Sequence, residues 1–443
     1  MKSNNCMQQG VIFHIDVNSA YLAWESLERR RTGELFTVGA DGDGVGAGDE
    51  NSINKRVIPD LRDIISVIGG DAATRRGIVL SKSIHCKPYN IQTGESLYSA
   101  LQKCPALVVV PARFGVYEKY SEDMIEYLHN FSDRVQQYSI DEAFLDYTHM
   151  ERHFGPPLVA ADAIRNGVKE RFGFTVSVGV GPNKLLAKMA TELRKPDFTN
   201  TLLFPGEIEK MWALPIEELF MAGRATEPKL RRLGIQTIGD LAHFDVQYLR
   251  PTFKSAAQTL WEYANGIDDS VVEPYHGVPK SIGHSTTIPH DVKRYDDANR
   301  VLLHLCESVG KRLRQKEMLA SVVSIGIRNS LFEFYSHQGK CTPTDHTTTL
   351  YNHAKQLFRE AWKREPIRQL GVRVEKLSDS RMGQLSLFGQ EIIDKQQRLD
   401  TAIDGIRARF GDAAVMRAGF LCTEKKDGHT LDKFSPFKAT GGL

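Results

Sequence analysis

The patterned part of the chain begins with a short apolar run, Val11–Val17 (VIFHIDV), which ends in an acid and passes into Asn18-Ser19. This predicts a buried strand presenting Asp16 at its C-terminal end, then a helix from Tyr21 to about Arg30 with Asn18 or Ser19 as its cap. Gly77–Ser81 and Ala106–Pro111 read as further strands, with turn and helix over Gln92–Gln102 between them. Tyr120, Met124, Tyr127, Leu128 and Phe131 recur at helical spacing and predict a helix over Tyr117–Phe131. Tyr138–Tyr147 (YSIDEAFLDY) reads as a strand or tight hairpin, apolar throughout except for Asp141-Glu142 in its middle. An amphipathic helix over Leu158–Phe172, an alternating strand over Phe174–Gly179 and a helix over Leu185–Arg194 complete the first half.

Two stretches break the pattern. Thr37–Arg56 is rich in Gly and Asp with no periodicity, which predicts a long loop or insertion. Its Asp41-Gly-Asp43-Gly lacks a glutamate at the spacing a calcium loop requires. Asn265–Pro279 is a turn-rich linker. Between them, Met221–Leu241 holds short helical segments around a Leu233-Gly234-Ile235 turn, in the manner of a helix-hairpin-helix. Such turns hold DNA phosphates through backbone amides, and the cluster Arg224, Lys229, Arg231, Arg232 supports that use. A plain helical packing module is the alternative. From Lys280 onward, strands at Ser281–Ile288, Ser321–Ser330 and Leu370–Leu377 alternate with helices at Ala298–Lys316 and His353–Lys363, predicting a separate α+β sandwich. Gln384-Leu385-Ser386-Leu387-Phe388 is an apolar pentad suited to local packing or to a partner's pocket. A helix over Leu399–Phe410 follows, and Thr423–Leu443 is polar and expected to be disordered.

Composition narrows this picture only slightly. A chain of 443 residues with 41% hydrophobic and 25% charged content is globular and too long for one ordinary domain. A net charge of +2 leaves any nucleic-acid surface to a local patch. Met1–Gly10 lacks the apolar core of a signal peptide, and no run is long enough to span a membrane. The six cysteines show no C-x-x-C pairing, so free thiols in a reducing cytoplasm are expected, with no zinc site.

The candidate chemistry rests on acids in apolar surroundings. Unpaired buried charge is costly, and adjacent strand residues point to opposite faces. Asp141 and Glu142 therefore converge only if the backbone turns there or a metal gathers them; two solvated acids at a strand end is the bland alternative. Asp16 is the candidate partner. Val180-Gly-Pro-Asn-Lys184 forms a Gly-rich turn at a helix start, where amides and an ammonium can hold phosphate, although a strand-turn-helix with a lysine is also common architecture.

Taken in order, F-H-I-D, S-I-D-E-A-F-L-D and S-V-G-V-G-P-N-K-L-L-A-K resemble a Y-family DNA polymerase, close to its polymerase IV branch, over roughly residues 11 to 390. The resemblance implies an α+β multidomain enzyme: a palm with a mixed or antiparallel sheet and helices (1–30 and 114–204), small fingers (31–113), a helical thumb with a helix-hairpin-helix (205–275), an α+β little finger (280–378) and a tail (379–443). It implies template-directed, low-fidelity translesion synthesis. Asp16 and Asp141, helped by Glu142 and the carbonyl of Val17, would hold two Mg²⁺ ions. Lys184 and Lys87 would contact the incoming dNTP, and Tyr21 would exclude a ribose 2′-hydroxyl. Gln384, Leu385, Leu387 and Phe388 resemble the pentad by which bacterial polymerases bind the sliding clamp. A cytoplasmic monomer acting on primer–template DNA is expected. Three departures stand out: Ile84 replaces a tyrosine three residues before Lys87, the 37–56 segment exceeds compact fingers, and Met221-Ala-Gly-Arg replaces a Gly-Ile-Gly type turn.

Two other readings stay open on the residues alone. A nucleotide cyclase places two acids around two metals on a similar core. A non-catalytic DNA-binding or clamp-associated protein would need none of them.

Overall fold

The computed structural model describes residues 10–33, 60–70, 77–203, 205–274, 279–379 and 390–420. The Gly/Asp-rich segment, the pentad Gln384–Phe388 and the polar stretch from Thr423 lie outside the described residues. Packing divides the chain into two units, one running to residue 276 except for pieces 70–78 and 96–98, which group with the other from 277 onward.

The first unit is organised around β1 (Ile12–Val17), which runs antiparallel to both β6 (Glu142–Asp146) and β7 (Val176–Gly181). With β5 (Val135–Gln137) and β8 (Thr199–Thr201) they form a sheet of order β5-β6-β1-β7-β8. Period-2 alternation sends Phe13, Ile15 and Val17 to one face, where they join the core with Trp24, Tyr117, Ile164 and Val168 from α1 (Ala20–Thr32), α3 (Phe114–Leu128) and α5 (Pro157–Phe172). Ile12, His14 and Asp16 face the other side, under α6 (Lys184–Leu193). A smaller sheet, β3-β2-β4, combines β2 (Ser66–Gly69), β3 (Val79–Lys82) and β4 (Val108–Pro111), with α2 (Leu97–Lys103) before β4. The one-turn α4 (Glu151–Phe154) and the helices α7 (Ile208–Trp212), α8 (Glu227–Arg232), α9 (Ile238–Ala242), α10 (Val246–Phe253) and α11 (Ala256–Ala264) complete it.

The second unit is an antiparallel sheet β11-β10-β12-β9, built from β9 (Ser281–Val292), β10 (Met318–Asn329), β11 (Phe334–Thr344) and β12 (Ile367–Asp379). Val323, Ile325 and Ile327 alternate toward α12 (Tyr295–Gln315) and α13 (Thr347–Ala361), which carry Leu302, Leu305, Leu350 and Phe358. The helix expected at Leu399 begins nine residues earlier, as α14 (Gln390–Phe410). It is no loose tail: Arg314 binds Asp404, Arg407 binds the buried Glu307, and Arg417 bridges Glu307 and Asp400. Among the described residues no helix is long and apolar enough to cross a membrane.

Local geometry refines the sequence reading in three places. Of the two forms read for the apolar decamer it takes the tight hairpin: Tyr138–Asp141 turns between β5 and β6, with the Tyr138 and Ser139 amides on the Glu142 carbonyl. Ser19 occupies the cap position of α1 but in left-handed geometry, and its side chain caps nothing. Pro182 precedes Asn183, whose side chain, 2.8 Å from the Leu186 amide, is the true cap of α6.

Candidate active site

Strand register places the acids. Asp16 and Glu142 are directly opposed partners of β1 and β6, so their side chains share one face at cross-strand distance. Asp141 sits in the turn just before β6, tied to the end of β1 by the Val17 amide, which donates to the Asp141 carbonyl over 3.0 Å. Its carboxylate accepts the Ser139 hydroxyl at 2.6 Å. The hairpin turn thus sets Asp141 at the end of β1, just ahead of Glu142.

Lysines come to this face from α6 and just beyond it. Gly179 and Gly181 on β7 permit the approach: a Cβ on Gly181 would lie 2.6 Å from the Ala187 amide, and one on Gly179 would overlap the Ala187 carbonyl. Lys188 binds Glu142 at 2.6 Å and reaches His14 Nε2 at 3.5 Å. Lys195 binds Asp16 at 3.0 Å and also Glu192. Neither was singled out from the sequence. Lys184 was, but its ammonium lies 3.3 Å from the Val271 carbonyl and over the Phe144 ring. The turn's amides are also committed: Leu185 donates to Asp268 and Leu186 to Asn183. Lys184 is therefore not one of the groups gathered at the carboxylates here; a linker residue, Asp268, and the cap side chain occupy the Leu185 and Leu186 amides.

Burial above all pushes the Asp16 carboxyl up to about 7, with the adjoining Glu142 adding to the rise and Lys195 opposing it. His14 is fully buried; burial first, then Lys188 and Lys195, hold its pKa well below the usual value, so the ring is neutral. The Thr191 hydroxyl sits 2.9 Å from His14 Nδ1 and within reach of the Ala187 carbonyl, while His14 Nε2 faces the Lys188 ammonium.

Of the three acids, Asp141 lines a cavity of about 530 Å³ together with Val17, Ser19, Tyr21, Lys82, Ile84, Lys87, Thr93 and Pro196 among others. Tyr21 is held by a stacked ring contact with Tyr117 at 5.1 Å and an edge contact with Phe114. Helix α1 itself is pinned by buried Glu25, which accepts from Tyr117 and pairs with Arg29 and Arg113. Lys87 lies in the 3₁₀ turn Ile84–Tyr89, and Ile84 presents an exposed apolar side chain at the cavity wall.

These donors fit hard divalent cations. The Glu142 carboxylate opposite Asp16 adds to the rise of the Asp16 carboxyl, a third carboxylate lies in the adjoining turn, and every donor is oxygen. Among the described residues no three His, Cys, Asp or Glu side chains close into a metal cage. A divalent cation here would take its remaining ligands from water and substrate phosphates.

The cationic cluster of the helical module is divided. Arg224, Lys229 and Arg232 are exposed, whereas Arg231 is bound to Glu217, Glu227 and Gln236. At the start of α9 the Gln236 and Thr237 amides go to Asp240, in a capping box.

Residues 51–192 match the impB/mucB/samB family, and residues 279–387 match that family's C-terminal domain. The chain is 41% identical over 417 residues to DNA polymerase IV of Clostridium acetobutylicum, covering 94% of this chain and 99% of that one. It is 37% identical to DNA polymerase IV of Pelotomaculum thermopropionicum, over 83% of this chain and 92% of that one. Its fold matches a solved Y-family DNA polymerase chimera with a TM-score of 0.67 at 21% identity, covering 83% of this chain and 99% of that one. The chain belongs to the Y family of DNA polymerases, in the polymerase IV branch, and is a DNA-directed DNA polymerase of the translesion type.

Proposed function

We propose that Asp16, Asp141 and Glu142, with the Val17 carbonyl, hold two Mg²⁺ ions at the edge of the cavity walled by Tyr21 and Lys87. As a member of its family the chain is a divalent-metal-dependent enzyme that takes primer–template DNA and deoxynucleoside triphosphates. The observation that carries the assignment is the register pairing of Asp16 with Glu142, with Asp141 beside them on that cavity. When bound, the cations supply a more acidic primer 3′-hydroxyl and charge neutralisation on the triphosphate.

The chain's own groups divide the remaining work. Lys195, on Asp16 and next to cavity-lining Pro196, takes a triphosphate oxygen, the role that resemblance gave to Lys184. Lys87 meets the triphosphate from the opposite wall. Lys188 orients Glu142. Tyr21, braced by Tyr117, closes the space a ribose 2′-hydroxyl would need.

In this reading, residues 1–30 and 114–204 form the palm, 31–113 the fingers, 205–275 the thumb and 280–378 the little finger. Arg224, Lys229 and Arg232 hold DNA phosphates while Arg231 braces its own module. Gln384, Leu385, Leu387 and Phe388 bind the sliding clamp. The enzyme works as a cytoplasmic monomer.

Primer extension tests the site. Losing a cation ligand forfeits several kcal/mol of transition-state stabilisation, so Asp141→Asn extends on the order of a thousandfold more slowly. Extension by Asp141→Asn at the parent rate would remove the carboxylate assignment.

A further inference from the structure

In the second unit, most charged side chains of the helical layer are paired. Arg300 binds Asp297, Lys311 binds Asp412, Arg314 binds Asp404 and Arg407 binds Glu307. Lys293, Arg359 and Arg364 are different. They are exposed, they line one cleft of about 560 Å³, and among the described residues none of them holds an ion pair. The other lining residues are Tyr295 and Trp362, so the cleft contains three cations, two rings and no carboxylate. Its size falls within the roughly 300–1,000 Å³ of sites that hold drug-sized molecules.

The rings are pre-set. Trp362 stacks on Phe358 at 5.3 Å, and Tyr295 lies 6.4 Å from Trp362. Their polar tips are already spent on main-chain carbonyls: the Trp362 indole donates to Glu365 and the Tyr295 hydroxyl to Lys355. What remains for a ligand is ring surface. Arg364, in left-handed geometry two residues after Trp362, also lines the cleft. Three like charges gathered without a counter-charge repel one another, and an anion relieves them. An anion that also carries flat apolar faces uses both features. Cationic grooves with stacking rings are how proteins hold unpaired nucleotides.

We infer that the cleft edged by Lys293, Arg359 and Arg364 and walled by Tyr295 and Trp362 binds single-stranded nucleic acid, phosphates on the cations and a base against the rings. The exposure of all three cations suits a strand lying across the cleft better than an enclosed small molecule. The inference adds a contact to the polymerase, and its failure leaves the polymerase site untouched.

The experiment uses the full chain and a fluorescent oligothymidylate in an anisotropy titration over a salt series. Replacing Lys293, Arg359 and Arg364 together with Ala lowers single-strand affinity at least tenfold near 0.1 M salt. It also reduces the salt slope by about 2, three contacts at roughly 0.7 each on a single strand. Blunt duplex affinity stays within about twofold, and the melting temperature is unchanged because the three side chains are exposed. A matched abasic oligomer binds the parent chain about tenfold more weakly than the thymidylate, from the stacking increment. Trp362→Leu closes that gap. Unchanged single-strand affinity and slope in the triple variant overturn the proposal. So does equal binding of the abasic strand by the parent, which would reduce the cleft to a bare anion site. An equal loss on blunt duplex overturns the single-strand assignment.

Discussion

Replacing Lys188 with methionine keeps the aliphatic bulk that packs over Tyr138 and Phe220 and removes only the ammonium. That ammonium lies 2.6 Å from Glu142, with the two side chains 14% and 17% exposed. At an effective dielectric near 20 the attraction is about 6 kcal/mol, most of it offset by desolvation of the pair. Removing one partner of a buried pair costs roughly 3–5 kcal/mol; some water reaches this one, so about 2–4 kcal/mol is expected. The cost arises because Glu142 would then face Asp16 with Lys195 alone to compensate. Removing the like charge should relieve it. In a double-mutant cycle with Glu142→Gln, the pair should therefore be less destabilised than the sum of the singles by about 1–2 kcal/mol. The assay is urea unfolding without divalent cations, with hydrogen exchange at the β1 and β6 amides as the local readout. A coupling below about 0.5 kcal/mol would refute the reasoning, since independent sites add to within that margin.

Other consequences are simpler to state. Gly179→Ala forces β7 from α6, because its Cβ would overlap the Ala187 carbonyl; a loss of about 3 kcal/mol or more and failure of extension are expected in melting and activity assays. Tyr21→Ala should admit ribonucleotides, seen as a collapse of the dNTP-to-NTP ratio of kcat/KM; an unchanged ratio removes Tyr21 from that role. Arg407→Ala leaves Glu307 buried with only Arg417, costing about 2–4 kcal/mol and speeding exchange of the α14 amides. Burial would raise the Asp60 carboxyl, but bonds to the Arg62 side chain and amide outweigh it and bring it down to about 2. Its stabilising contribution is thus complete above the unfolded value of about 4 and fades as pH falls toward 2. Asp60→Asn should flatten that limb of the acid-unfolding curve.

How far the sequence could be read depended on the range of the signal. Helices α1, α3, α5 and strands β1, β4 carry their period in neighbouring residues, and their existence followed from it. So did Asp16 at a strand end. The antiparallel fit of β1 between β6 and β7 joins segments more than a hundred residues apart, and no local period encodes it. Hence Asp141-Glu142 stood out in an apolar run, and of the strand and hairpin read for it the structure shows the hairpin. Asp16 was the candidate partner by its place at a strand end, and the family motif added the roles.

The lysines teach the same lesson more sharply. Lys184 attracted attention because a cation at a Gly-rich helix start is a familiar phosphate contact. Two better clues were present. Lys188 lies one turn beyond Lys184, and glycine at alternate positions of a buried strand signals that another backbone approaches there. Gly179 and Gly181 do admit α6, and Ala187, Lys188 and Thr191 are the residues that meet β1 and β6. A helix admitted that closely delivers its inner-face cation to the acids, while a cation at its very start is left facing the linker. The glycines, more than the lysine beside them, located the positive charge at this site.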